Sequence, residues 1–145
     1  SELFEFHLTL RSEQPAIDPA SILRTPAQVS IELAGGDART LHGVVSHFVR
    51  TGADRTFTYY AATLRPKLWE LGQTADCRIF QDTSPLDIVR TVLREHGVTD
   101  VRVECAAPPP REYCVQYRES ALAFVTRLLE EEGIAFHFAH EPGKH

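Results

Sequence analysis

The chain has 145 residues, 43% of them hydrophobic, with 15 Lys and Arg against 20 Asp and Glu for a net charge of -5. This length and composition suit one domain or slightly more and exclude a disordered or fibrous chain, while dispersed basic residues on an acidic chain argue against nucleic-acid partners and a polybasic membrane patch. No apolar run approaches the ~20 residues of a membrane span, and Ser1-Glu-Leu-Phe-Glu-Phe6 lacks the basic and apolar regions of a signal peptide, so folding in the cytoplasm is expected.

The first half is written in strand period. Phe4, Phe6, Leu8 and Leu10 alternate with Glu5, His7, Thr9 and Arg11, and Val29, Ile31 and Leu33 alternate with Gln28, Ser30 and Glu32. Between them Asp18-Pro-Ala-Ser-Ile-Leu-Arg24 predicts an Asp N-cap, Pro at the first helical position and one helical turn. Ala34-Gly-Gly-Asp-Ala38 predicts a tight connection. Residues 41–50 and 56–64 then predict a hairpin joined through 51–55. Strict alternation places Leu41, Val45 and Val49 on one face and Val44 and Phe48 on the other, with Tyr59 and Tyr60 on opposite faces. Such a strand is expected to be covered on both sides, by a closed barrel, another domain or another subunit.

Pro66 breaks the alternation, and Trp69, the sole Trp, is expected to cap one end of a core. Residues 76–80 predict a short strand. Ser84, Pro85 and Asp87 then predict a capped helix over 84–96 with Leu86, Val89, Val92 and Leu93 as its apolar stripe and Gly97 as its stop. A strand is expected at 101–104, followed by the stiff Pro108-Pro-Pro110, the expected domain boundary. Next come a strand from Tyr113, a Ser120 cap, and a helix over 120–132 burying Leu122, Val125, Leu128 and Leu129. A Gly133 stop and a strand over 134–138 complete the run. Glu130, Glu131 and Glu132 crowd the helix end that the macrodipole makes unfavourable for acids, which predicts basic neighbours or solvent. The closing Glu141-Pro-Gly-Lys-His145 predicts a turn soon after a strand, so the chain is expected to be truncated. The fold class is α+β, an antiparallel barrel or sandwich with two amphipathic helices. Its expected domains are 1–107 and an incomplete 108–145.

Residues for catalysis, metals or cofactors are sparse in this pattern. His42 and His47 stand five apart on one predicted strand, and His137 and His140 three apart, so each pair is expected to face opposite sides; HExxH and paired Cys are absent. Cys77, Cys105 and Cys114 have no CxxC spacing and predict free, buried thiols. Ser120 stands at a strand-to-helix corner without the flanking glycines of a nucleophile elbow, and Gly35-Gly36 has no following Lys for a phosphate loop. No catalytic, metal or cofactor residue is assigned, and no small-molecule substrate. The remaining alternatives are a hydrolytic, wall-degrading enzyme and a stand-alone β-barrel ligand-binding module.

Three runs carry a resemblance to a known family: Leu41-His-Gly-Val-Val45; Leu64-Arg-Pro-Lys-Leu-Trp69 leading to Cys77-Arg-Ile-Phe-Gln-Asp82; and Tyr113-Cys-Val-Gln-Tyr-Arg-Glu-Ser120 with the helix to Ile134. In order and spacing they resemble the hub region of VgrG, the spike of the bacterial type VI secretion apparatus, and are similar to contractile phage tail hubs. The resemblance implies a structural, non-enzymatic part that trimerises with other VgrG subunits and docks on the Hcp tube as a symmetry adapter. It also implies assembly in the cytoplasm, then expulsion by contraction without a membrane anchor. Phe48, Tyr59, Tyr60 and Trp69 are the candidate interface residues.

Overall fold

In the computed structural model residues 2–141 are described; the expected turn over 141–145 lies almost wholly outside them. The described residues hold six strands and two α-helices in two compact units. One unit is Glu2–Lys67 with the described part of Phe138–His145; the other spans Leu68–His137. Each is antiparallel, so the α+β class holds. The contacts do not divide at the expected 107/108 boundary, because the strands on either side of the Pro-rich segment pair with each other.

In the first unit β1 (Phe6–Ser12), β2 (Pro26–Glu32), β3 (Ala38–Ala53) and β4 (Thr58–Arg65) form one sheet in the order β1-β4-β3-β2. With β1 and β2 at its two edges, it is a half-barrel rather than a closed one. The β3–β4 hairpin is tighter than expected: pairing runs to Ala53–Thr58, and residues 51–53 are strand. Asp54 makes this possible. Its carboxylate accepts from the Thr56 and Phe57 amides at 2.8 and 2.7 Å and from the Tyr59 hydroxyl at 2.7 Å, which holds the carboxyl below its usual range and raises the Tyr59 phenol.

Strict alternation fails in the middle of β3. A bulge lies between Val45, opposite Leu64, and His47, opposite Thr63, so one extra residue resets the parity. Val45 and Phe48, three apart, therefore share a face and pack with Tyr60, Ala62 and Leu64, the Phe48 and Tyr60 rings stacking at 4.9 Å. The same reset puts His42 and His47 on one face instead of two. Residues 41–45 are buried throughout, as two-sided cover predicts, but this chain supplies that cover itself. Val49 is 42% exposed. Gly43 is required by a close approach: a Cβ there would stand 2.8 Å from the Arg65 carbonyl oxygen. The Asp18 side chain caps a short 3-10 turn, Pro19–Ser21, as its N-cap pattern predicts.

In the second unit β5 (Ala75–Thr83) and β6 (Arg111–Ser120) form a two-stranded ribbon, backed by α1 (Pro85–Glu95) and α2 (Ala121–Glu131). Ser84 caps α1 as expected: its hydroxyl accepts from the Asp87 amide at 3.2 Å and donates to the Asp87 carboxylate at 2.6 Å. Gly97 and Gly133 follow the helix ends with φ of 75° and 67°, the left-handed conformation that stops a helix. The apolar stripe of α1 also takes in Ile88, fully buried, and that of α2 is turned from expectation: Phe124 is fully buried and Leu122 only half so. Phe124 stacks on Phe80 at 5.9 Å. Two expected strands are absent from the ladders. Residues 101–104 pair with nothing and leave Val101 43% exposed. Residues 134–140 have alternate side chains half-buried, yet join no sheet.

Candidate functional site

The half-barrel leaves a hollow of about 460 Å³ on its concave face. Its floor is the Val45, Phe48, Tyr60, Ala62 and Leu64 cluster, and its walls come from β1, β2 and the connection between them. That connection is fastened to the sheet by backbone: Arg24 N–H donates to the Val45 carbonyl at 2.8 Å, and Val45 N–H to the Thr25 carbonyl at 3.0 Å. Arg24 adopts φ of 61° to make the turn. The Ile17 amide also donates to the Tyr60 hydroxyl at 3.2 Å. The polar lining is Arg11, Ser12, Thr25, Gln28 and Tyr60; the lining residues include no acid, His or Cys. Such a surface can bury apolar groups but offers neither an acid–base pair nor metal ligands.

A second apolar surface lies on the ribbon face turned away from α1 and α2. Cross-strand register puts Cys77 beside Tyr117, Ile79 beside Val115 and Gln81 beside Tyr113 on this face. Ile79, Tyr113, Val115 and Tyr117 are 68%, 62%, 45% and 65% exposed. The alternate residues Cys114 and Gln116 are buried toward the helices. Arg118, with φ of 49°, folds its guanidinium over the Tyr117 ring at 5.3 Å.

The three acids at the end of α2 are explained by two arginines. Arg111 pairs with Glu131 at 2.7 Å and with Glu132, while Arg127 reaches Glu119 at 2.6 Å and Glu131 at 3.0 Å. Arg111 and Arg127 hold Glu131 below the usual carboxylate range, and both guanidinium groups are pushed up in turn. Glu130 is exposed. Beta6 is thereby pinned to α2 at both ends.

The other sequence-derived candidates fall apart in space. Phe48 and Tyr60 are core, Tyr59 serves the Asp54 turn, and Trp69 is half-buried in the 3-10 helix Lys67–Gly72. Ser120 caps α2, its hydroxyl accepting from the Ala123 amide at 3.1 Å. Cys77 and Cys105 are exposed rather than buried; only Cys114 is buried, which raises its thiol pKa. Among the described residues no three His, Cys, Asp or Glu are placed to hold a metal ion. Alternation could have exposed the ribbon face in advance, since Tyr113, Val115 and Tyr117 share one parity. The hollow could not be read so, because it depends on the bulge and on the folded-back connection.

The class this geometry defines is an antiparallel α+β protein with a four-stranded half-barrel and an apolar hollow on its concave face. Across residues 1–145 the chain matches the phage tail baseplate hub (GPD) family, and it belongs to that family. It is 42% identical to the type VI secretion system spike protein VgrG1a of Pseudomonas aeruginosa over 99% of this chain and 22% of that protein. VgrG1c of the same organism is 41% identical over 99% of this chain and 20% of its own length. The chain thus spans about a fifth of the curated relatives it matches. Among solved structures, the E. coli c3393 protein, a component of the type VI secretion system with similarity to the T4 phage tail proteins gp27 and gp5, superposes with a TM-score of 0.76. That match is 30% identical and covers 90% of this chain and 37% of that one. The 43 kDa tail protein of prophage MuSo2 from Shewanella oneidensis shares the fold, with a TM-score of 0.63 at 16% identity over 92% of this chain and 42% of that one. The resemblance to VgrG drawn from three sequence runs therefore extends over essentially the whole chain.

Proposed function

We propose that this chain is hub material of a type VI secretion spike: a non-catalytic scaffold that trimerises and docks on the Hcp tube. It converts the threefold symmetry of a spike to the sixfold symmetry of the tube. In this reading it assembles in the cytoplasm and leaves by contraction. The observation that carries the reading is the pairing of the hub family match with an apolar hollow whose lining, among the described residues, includes no acid, His or Cys. Burying such surface against neighbouring protein contributes about 25 cal/mol per Å² of apolar area. The test is solution mass by light scattering, with and without assembled Hcp rings. Three copies per particle and co-elution with the rings are expected. A lone protomer that ignores Hcp, or one that turns over a wall polymer, sinks the proposal.

A further inference from the structure

We propose that His140 is an acid-sensitive latch: neutral, it holds residues 138–141 against β3, and protonation releases them. Backbone donors along a strand point alternately to its two neighbours. Val45 N–H donates to the Thr25 carbonyl on the β2 side, so alternation turns the Val44 and His42 amides to the β4 side. There β4 is missing: its last residue, Arg65, pairs with Val44, and Pro66 follows. The His42 N–H instead donates to His140 Nδ1 at 3.2 Å, so a side chain stands in for the absent strand. The same ring packs on Phe4, with centroids 5.0 Å apart, and on Phe6 at 6.3 Å. Phe138 meets Phe4 edge to face, so the packing of the segment is centred on the group that titrates.

A ring nitrogen accepts only while it carries no proton, and an imidazolium has no acceptor in any orientation. Protonated His140 would set one N–H against another. The docked segment therefore binds fewer protons at His140 than the released one. Docking is complete above the ordinary imidazole value of about 6.5 and is lost as pH falls below it. The charged groups of the surrounding elements do not reverse this sign. Arg65 and Lys67, where β4 ends, disfavour a further cation. Glu5, between Phe4 and Phe6, is held by Arg65 and His7, and Glu2 is exposed. Glu141 adjoins His140 and moves with it, so its attraction acts in the docked and the released segment alike. His42 is buried and adds no negative charge. The latch is independent of the hub reading, since it needs neither trimer nor tube.

The test is NMR of the 145-residue chain from about pH 8 to about pH 5, a range that spans the imidazole titration. At the upper end, ring-nitrogen spectra should show His140 with its proton on Nε2. The protection factor of the His42 amide should fall at least tenfold across the range, in step with the His140 titration, with protection in α1 and α2 unchanged. His140→Asn puts an oxygen that does not titrate where Nδ1 stands, and should keep the His42 amide protected at both ends. His140→Ala should leave that amide unprotected throughout. A His140 proton on Nδ1 at the upper end would overturn the latch. So would a His42 protection factor that stays flat or rises on acidification, as it would if attraction between the imidazolium and the Phe4 ring prevailed. His140→Asn following the pH dependence of the original chain would place the titration on another group, and His140→Ala keeping the amide protected would show that the tie is not made by this ring.

Discussion

Gly43 shows how a single residue fixes a strand path. Its β3 backbone lies so near β4 that a methyl group would sit 2.8 Å from the Arg65 carbonyl oxygen, and a carbonyl in a sheet cannot swing away as a flexible side chain could. Gly43→Ala should therefore cost about 1–3 kcal/mol, the usual range for overpacking, read as a lower urea midpoint at unchanged slope. The same substitution at Gly52, where nothing lies within 4 Å, should leave the midpoint nearly unchanged. Only the folded state reveals this close approach: the sequence sets Gly43 inside a predicted strand and Gly52 in the turn after it, where a glycine would be the more expected, yet it is Gly43 that cannot take a side chain. The bulge at Ser46 is hidden for a similar reason. Apolar residues at 44, 45, 48 and 49 satisfy a straight strand as well as a bulged one. What decides between them is that Val45 and Phe48 must both reach the cluster around Tyr60.

Elements were far more legible than their pairings. Both helices begin where a Ser precedes the apolar stripe and end before a Gly, since caps and stops are local chemistry. Ser84→Ala removes a hydroxyl that is buried and bonded twice to Asp87, and should cost about 1–2 kcal/mol; Ser120→Ala, with one bond to Ala123, should cost about 0.5–1 kcal/mol. Urea titrations of the two variants check both the magnitudes and their order. The placement of Glu131 and Glu132 needed Arg111, twenty residues away, and no helical spacing could announce it. Those ion pairs carry a pH signature. Glu131 is held below its ordinary value near 4.5 by Arg111 and Arg127, so its contribution is complete above that value and is lost as pH falls through the lowered one. Arg111→Met should remove part of the stability near neutral pH, at most about 1 kcal/mol for such partly exposed pairs. It should also flatten the acid limb of the stability profile. Some slope should persist, because Arg78 lowers Glu95 in the same way. An unchanged acid limb would show that the pins at the end of α2 contribute nothing.

At the scale of the whole chain, the feature least visible in the sequence is that residues 138–141 belong with Glu2–Lys67 rather than with the helix they follow. Alternation in Ile134-Ala-Phe-His-Phe138 predicts one more strand, and half the expectation holds, since alternate residues of the segment are half-buried although it joins no ladder. What it docks on is aromatic rather than a ladder. Phe138 meets Phe4 edge to face at 5.1 Å, His140 lies 5.0 Å from Phe4, and the His42 amide donates to the His140 Nδ1 at 3.2 Å. Ring contacts of this kind are non-local and leave no periodic mark, so composition and spacing pass over them. Their consequence is measurable. Phe138→Ala deletes a half-buried ring from that cluster and should destabilise the unit containing β1 to β4 by roughly 1–3 kcal/mol. Hydrogen exchange should register the loss as faster exchange of amides in β3 and β4, with protection in α1 and α2 unchanged. Equal loss in both units would mean that the ring supports the chain as one cooperative body, and no change in either would mean that the aromatic tie carries no weight.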